Sequence, residues 1–228
     1  ALRELHPEYA DRIPSVAEQF TPDNHHDMVR FEIMKQFGYF VTESSEHSSE
    51  YYPWFIKKDH PELIDRFHIP LDEYPRRCRD QIARWKQQAE HLVHNENLTH
   101  TRSSEYAAGI IEALETGRTF GFAGNVLNTG LIDNLPFDAC VEVSCMVNEG
   151  HLSPCHMGPL PNQLAALNRR QIEVHQLTVD AALTRKKEYI YQAAMLDPHA
   201  GSELTIDEIR SLVDDLIQAH GDWLPEYH

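Results

Sequence analysis

The sequence predicts an α+β fold in which helices surround a small antiparallel sheet. Apolar residues recur at helical spacing in segments on both sides of the middle of the chain. Between them, in residues 119–158, short runs are separated by turn-forming residues, and in one run apolar and polar residues alternate, which is typical of strands. With 228 residues, of which 41% are hydrophobic, the chain is long enough for one large domain or two small ones.

Four helices are predicted before the strands. They cover residues 24–37, 63–67, 75–94 and 103–116. Gly38 and Gly117 should end the first and the last of these, because glycine readily adopts the left-handed conformation that follows helices. Ser103 is placed to cap the last one through its hydroxyl. Residues 38–54 have no apolar period, which favours a loop.

Three short strands are predicted next, at residues 119–126, 139–148 and 151–158, with a turn at Gly150. In the second strand, valine or cysteine occupies every other position from Val141 to Val147, and Glu142, Ser144 and Met146 lie between them. Successive side chains of a strand point to opposite faces, so this alternation indicates an antiparallel strand with one buried face.

Helices return after the sheet. Residues 161–196 have the pattern of one long amphipathic helix. Thr205 and Glu208 form a capping-box pattern, in which each side chain bonds the other residue's backbone N–H. This pattern opens a further helix that Gly221 is placed to end.

The charge of the chain excludes two classes of partner. Lys and Arg number 20 against 36 Asp and Glu, a formal net charge of −16. Such a chain repels phosphate backbones and anionic membranes, so we expect no nucleic-acid and no membrane partner. No apolar run approaches the roughly 20 residues of a membrane span, and the start of the chain does not resemble a signal peptide. We expect a cytoplasmic protein.

The cysteines favour reduced thiols over disulfides or a metal centre. None of the four belongs to a CxxC pair, and a chain with a normal core does not need disulfides. Cys155 and His156 are adjacent and could both ligate a metal, but metal ligands usually come from several separated segments. We therefore predict no metal site in these residues. No GxGxxG loop stands between a strand and a helix either.

Residues 38–54 contain the densest group of side chains that could bind a ligand or take part in catalysis. Glu43, Glu46, His47 and Glu50 follow one another closely, mixed with serines and with the aromatic residues Tyr51, Tyr52 and Trp54. Planar hydrogen-bonding groups that bind hydroxyls, beside flat rings that cover C–H surfaces, suit a sugar site. A polar helix-capping segment with aromatic residues buried behind it would have the same composition.

Several long stretches of the sequence resemble family 4 glycoside hydrolases, most closely the α-galactosidases, or melibiases. They are VRFEIMKQFGYFVTESSEHSSEYYPWFIK, PLDEYPRRC, NVLNTGLIDNLPFDACVEVSCMVN and AAMLDPHAGSELTIDEIRSLVDDLIQAHGDWLP. The resemblance implies a single C-terminal glycosidase domain over residues 1–228. Its fold would be that of the lactate/malate dehydrogenase-like C-terminal domain, without the Rossmann half that binds NAD.

The resemblance also implies an unusual reaction. Family 4 enzymes are an exception to the two-carboxylate scheme of glycoside cleavage. Bound NAD takes hydride from C3 of the sugar, which acidifies the proton on C2. A tyrosine removes that proton, the C1 substituent is eliminated, and water and hydride are then returned. A divalent metal, usually manganese, polarises the O2/O3 region as a Lewis acid.

Carried onto this sequence, the family's base falls on Tyr39 in GYF. An ordinary aromatic residue at a helix end would occupy the same position. Glu43 and His47 are expected to contact the substrate. Asn134 is a further candidate for contact with sugar hydroxyls. Its neighbour Asp133, Asn125 and Asn134 itself are explained equally well as turn-shaping residues, the interpretation we favour for these three.

The family's glycine-rich loop and its Cys and His metal ligands lie upstream of the matched region, so they cannot be carried over. We expect NAD and Mn²⁺ to be bound mainly by an N-terminal part that precedes Ala1, and this chain alone to be inactive. Two alternatives stay open: a family 4 α-glucosidase or α-glucuronidase, and a non-catalytic module that oligomerises or binds sugar. A homo-oligomer is expected, with residues 163–195 as a candidate surface.

Overall fold

The computed structural model describes residues 25–95, 97–99, 101 and 103–228. The helices in these residues are α1 (Met28–Phe37), α2 (Ser45–Tyr51), α3 (Glu62–Arg66), α4 (Glu73–His94), α5 (Tyr106–Thr116), α6 (Asn162–Thr184), α7 (Lys187–Leu196), α8 (Ala200–Glu203) and α9 (Ile206–His220). The strands are β1 (Phe120–Leu127), β2 (Cys140–Asn148) and β3 (His151–Pro154). A 3-10 turn, Gly221–Trp223, follows α9.

The predicted α+β fold is confirmed. The three strands form one antiparallel sheet in the order β1-β2-β3. Phe120 pairs with Val147 at one end of the first ladder, and Leu127 pairs with Cys140 at the other. The alternation predicted in β2 is confirmed too, because every second residue of this strand is buried. The β2–β3 turn passes through Gly150 at φ 83°.

The chain divides into two compact units. Of the described residues, the first contains those up to Leu71 and those from Glu173 onward, and the second contains those between Asp72 and Ile172. A cluster in the first unit joins α1 to the segment after α2; its buried members are Val29, Ile33, Phe55, Phe67 and Ile69. The core of the second unit lies on one face of the sheet; its buried members are Ile132, Ala139, Val141, Val143 and Cys145.

The ends of several helices are confirmed. Gly38 ends α1 with φ 85°, and its N–H donates to Met34 O at 2.8 Å. Gly117 ends α5 in the same left-handed conformation. The capping box of α9 is present, since Thr205 Oγ1 accepts from Glu208 N and Glu208 Oε2 accepts from Thr205 N. No helix in the described part of the chain is long and apolar enough to cross a membrane.

The prediction of a loop over residues 38–54 is wrong for part of that range, because α2 lies within it. Ser44 caps the start of this helix, and its hydroxyl accepts a hydrogen bond from the backbone of His47 at 3.4 Å. The buried face of α2 consists of Ser45, Ser48 and Ser49. These positions are three and four residues apart, as on one helical face, but they are not apolar, so hydrophobic periodicity could not reveal them.

Two further helix predictions are wrong. The helix expected over residues 161–196 is interrupted at Arg185, which has φ 63°. The last residue of the chain forms hydrogen bonds with both sides of the interruption. His228 N donates to Arg185 O, and Lys187 N donates to His228 O. Ser103 does not cap α5, which begins at Tyr106 after Glu105.

An ion pair joins the segment after α2 to α8 within the first unit. The Lys57 ammonium contacts a carboxylate oxygen of Glu203, and the backbone N–H of Lys58 donates to the other at 2.9 Å. The hydrogen bond from Lys57, followed by that from the Lys58 backbone, lowers the pKa of Glu203 from 4.5 to about 2. The ionised carboxylate is therefore favoured in the folded state.

We predict that this pair contributes to stability only where Glu203 is ionised. A depressed pKa gives a contribution that is complete above the ordinary value of 4.5 and is lost as the pH falls through about 2. Glu203→Gln should therefore lower the free energy of unfolding at pH 6 and converge on the wild type near pH 2. Urea denaturation across this range measures the difference. Glu173→Gln, at an exposed position of α6, is the control, and a difference that does not change with pH would contradict the prediction.

Candidate functional site

Tyr39 lies directly after the end of α1. Gly38 turns the chain there with a left-handed backbone that a side chain would disfavour. Tyr39 is 52% exposed and Phe40 is 41% exposed. The phenol therefore stands at a fixed helix end where solvent or a substrate can reach it.

The next segment is held against α1 by Arg30, a residue that the sequence did not single out. Its guanidinium donates to the backbone carbonyls of Val41 and Thr42 and forms an ion pair with Asp27. A basic residue on a helix surface is usually a solvent-exposed charge without a specific structural role. Only its contacts with a segment eleven residues away distinguish it.

Glu43 and His47 flank the start of α2. Glu43 Oε1 accepts from the backbone N–H of Ser44 at 2.9 Å, and the residue is exposed. The His47 side chain is 42% exposed, and its Nδ1 lies 3.2 Å from Glu50 Oε2. Tyr39, Glu43 and His47 thus belong to the same unit and to one continuous stretch of chain.

Two other tyrosines in this stretch stay protonated to a higher pH than an ordinary phenol, because their pKa values are raised. Partial burial, together with the nearby carboxylates Glu43 and Glu50, raises the pKa of Tyr51. Burial alone raises the pKa of Tyr52. A raised pKa keeps a phenol protonated, so neither environment prepares its residue to accept a proton at neutral pH.

The other aromatic residues pack against one another. Trp54 stacks on Phe37 with ring centroids 5.3 Å apart, and on Tyr52 at 5.2 Å. It also meets Phe55, a buried member of the core, edge to face. This arrangement agrees with the interpretation that part of the segment is aromatic packing behind a polar surface.

Asn134 lies in the second unit, apart in the chain from the Tyr39 segment. Its amide donates to Leu160 O at 2.8 Å and its carbonyl accepts from Leu160 N at 2.9 Å. Arg169 in turn donates to the backbone carbonyl of Asn134 at 2.9 Å through Nε. Asn134 therefore ties two loops together, as expected of a turn-shaping residue.

Buried Asn128 organises the same loop region and was not identified from the sequence. Its amide nitrogen donates to the carbonyls of Ile132, Leu135 and Pro136, and its oxygen accepts from Ile132 N at 2.8 Å. Asn128 is 0% exposed, so these bonds satisfy a polar side chain that would otherwise be costly to bury.

The described residues do not form a metal centre by themselves. No group of three or more His, Cys, Asp and Glu among residues 25–95, 97–99, 101 and 103–228 is arranged to hold an ion. The four cysteines are free. His156 Nε2 lies 2.8 Å from Asp133 Oδ1, which makes a pair of side chains, not a cluster of ligands.

Comparison with known families identifies the class of protein. A family model described as "Family 4 glycosyl hydrolase C-terminal domain" matches residues 2–200. The chain belongs to this family.

The relatives it matches include two alpha-galactosidases. The enzyme of Bacillus subtilis (strain 168) is 57% identical over 224 residues, which are 98% of this chain and 51% of that protein. The enzyme of Rhizobium meliloti (strain 1021) is 32% identical over 88% of this chain and 43% of that protein. An alpha-galacturonidase of Lachnoclostridium phytofermentans is 26% identical over 87% and 43%. The chain spans about half the length of the curated relatives it matches.

Solved structures share the fold. That of lplD from Bacillus subtilis has a TM-score of 0.76 at 20% identity and covers 94% of this chain and 50% of that chain. A 6-phospho-alpha-glucosidase from gut microorganisms, in complex with NAD and Mn²⁺, has a TM-score of 0.64 at 21% identity, over 97% and 50%. The predicted resemblance to the C-terminal domain of family 4 glycosidases is confirmed.

Proposed function

We propose that this chain is the C-terminal part of an α-galactosidase that works with NAD and Mn²⁺. The observation that carries the proposal is the identity to the alpha-galactosidase of Bacillus subtilis over nearly the whole chain. Identity falls by more than half for the alpha-galacturonidases, which favours galactosides over sugars with a carboxylate. Free cysteines suit a reducing compartment, so the proposed location is the cytoplasm.

The proposed cofactors rest on the structural neighbours, some of which hold NAD and manganese. The described residues of this chain do not fit a metal ion by themselves. Both groups would therefore be bound mainly by residues outside those described.

Within the proposed reaction, Tyr39 removes a carbon-bound proton of the sugar. Its exposure at a fixed helix end supports this role. The raised pKa values of Tyr51 and Tyr52 argue against their serving instead. Glu43 and His47 are proposed to form hydrogen bonds with sugar hydroxyls, because Glu43 is exposed and the His47 side chain is 42% exposed on the same stretch. For Asn134, the bonds to Leu160 favour the loop-shaping role over substrate contact.

A chimera tests this function. Residues 1–228 of this chain replace the matching half of the Bacillus subtilis alpha-galactosidase. We expect hydrolysis of p-nitrophenyl α-galactoside that requires NAD and Mn²⁺, and none by the 228-residue chain alone. Hydrolysis of the α-glucoside or α-glucuronide instead would favour the alternative substrates. A chimera that folds and binds NAD without turnover would contradict the proposal and favour a non-catalytic module.

Tyr39→Phe tests the proposed base. General base catalysis contributes about 10²–10⁴ to a rate, so the chimera with this change should lose at least about 100-fold in kcat. Substrate binding should persist, because phenylalanine keeps the ring and its packing. Tyr51→Phe is the matched control and should retain most of its turnover. A kcat for Tyr39→Phe within a few-fold of the unmodified chimera would remove Tyr39 from the mechanism.

We also propose that the chain forms a homo-oligomer through α4. None of the 22 residues of this helix is buried. Cys78, Ile82, Trp85, Ala89 and Leu92 are spaced alternately four and three residues apart, the spacing of a seam between packed helices. Trp85 is 64% exposed. If α4 packed only against the core of its own chain, the apolar residues of this row should be buried, and they are not.

The charge of α4 supports one candidate for what covers it. The helix carries five Lys and Arg against three Asp and Glu, whereas the whole chain carries 20 against 36. The remainder of the chain is thus strongly acidic, and a basic helix with an apolar row is complementary to it. The proposed occupant is a second copy of this chain.

Trp85→Asp should weaken this association. The change puts a carboxylate in the apolar row and reduces the charge complementarity. Sedimentation equilibrium of the 228-residue chain should show an oligomer for the wild type and dissociation for the variant. Trp223→Asp, at a 91% exposed tryptophan outside α4, is the control and should associate as the wild type does. A monomeric wild type, or a variant that associates equally tightly, would contradict the proposal.

A further inference from the structure

Arg30 makes an unusually complete set of contacts with the segment that follows Tyr39. Its Nε donates to Val41 O at 3.0 Å, and its Nη2 donates to the same oxygen at 2.8 Å and to Thr42 O at 3.4 Å. The guanidinium also lies over the Phe40 ring, 4.1 Å from its centroid. Three successive residues after Tyr39 therefore contact one side chain.

The guanidinium is itself fixed in place. Its Nη1 donates to Asp27 Oδ1 at 3.0 Å, just before the start of α1. The Arg30 side chain is 20% exposed and that of Asp27 30%, so the pair is partly shielded from water. A guanidinium that is bound to a carboxylate on one side and to carbonyls on the other has little conformational freedom left.

Tyr39 stands between two anchors of different kinds. On one side is Gly38, whose left-handed backbone ends α1 and whose N–H donates to Met34 O. On the other side is the segment bound by Arg30. Since glycine restricts the backbone little, the contacts of Arg30 with residues 40–42 limit the position of Tyr39 from the other side.

Arg30 also connects the Tyr39 segment to α2. The backbone N–H of Arg30 donates to Ser45 Oγ at 3.3 Å, at the first residue of that helix. His47 lies two residues further on. The same position of α1 thus contacts the segments that carry Tyr39 and His47.

We infer that Arg30 is a positioning residue for Tyr39, acting through the backbone of residues 40–42 and not through contact with substrate. The inference rests on the proposed role of Tyr39 as the base. An exposed phenol must be held within a narrow range of positions to remove a carbon-bound proton, and displacement by about 1 Å can cost about 100-fold in rate.

The first test does not depend on activity. The 228-residue chain is labelled with 3-fluorotyrosine, and Tyr39→Phe identifies the ¹⁹F resonance of residue 39. Arg30→Met should shift or broaden this resonance, because the carbonyls of residues 41 and 42 lose their donors. Lys35→Met removes a charge from the same helix at a side chain that is 74% exposed, and should leave it unchanged.

Arg30→Lys keeps the inference testable if the methionine variant does not fold. Lysine retains the charge and can donate to Val41 O, but it lacks the planar fork. It should move the resonance in the same direction by a smaller amount, with an unchanged circular dichroism spectrum. A residue 39 resonance identical to the wild type in a folded Arg30 variant would overturn the inference.

The second test uses kinetics of the chimera. Arg30→Met should lower kcat by about 10- to 100-fold and leave KM within about twofold, and Arg30→Lys should recover part of the loss. Equal changes in both constants for all variants would indicate a merely structural role and would overturn the inference. An inactive unmodified chimera would count against the proposed function alone, because the ¹⁹F result is independent of turnover.

Discussion

The packing of α1 into the core of the first unit is the constraint on which the candidate site depends. Val29 and Ile33 are 0% and 1% exposed, and burying such side chains contributes about 1.5–3 kcal/mol each. Their burial fixes the rotation of the helix about its axis. Since consecutive residues of a helix are about 100° apart, the rotation that buries Val29 turns Arg30 to the side, where it meets Val41 and Thr42. The core thus determines which carbonyls Arg30 can reach.

Helix α2, which contacts α1 through Ser45, is packed through polar side chains. Ser45, Ser48 and Ser49 form the buried face of α2, where larger apolar residues are more usual. Small side chains allow close approach between neighbouring segments, and the hydroxyls of Ser45 and Ser49 have backbone partners. Ser45 Oγ accepts from the backbone of Arg30, and Ser49 Oγ donates to Glu46 O at 2.6 Å. Outside this buried face of α2, Glu50 is exposed and the His47 side chain is 42% exposed.

Features that depend on local pattern were predictable from the sequence, and features that depend on distant contacts were not. The alternation in β2, the glycine ends of α1 and α5, and the capping box of α9 each follow from residues within a few positions of one another. The interruption at Arg185 depends instead on hydrogen bonds with His228, which no window around Arg185 contains. The apolar row of α4 was visible, but not its exposure, because periodicity marks an apolar face without indicating what covers it.

The same distinction applies to the site. Resemblance to a family selects Tyr39, yet it does not separate the residues that bind from those that hold the loops. The polar partners of each side chain give a physical argument for that distinction. Both the nitrogen and the oxygen of the Asn134 amide form hydrogen bonds with the backbone of Leu160. The buried Asn128 amide likewise bonds the backbone of its own loop. Glu43 uses one oxygen on the backbone of the next residue and is otherwise exposed. A side chain whose donors and acceptors are bound to backbone resists rearrangement toward a ligand, whereas a carboxylate with a free oxygen in water can exchange that water for a hydroxyl at little cost.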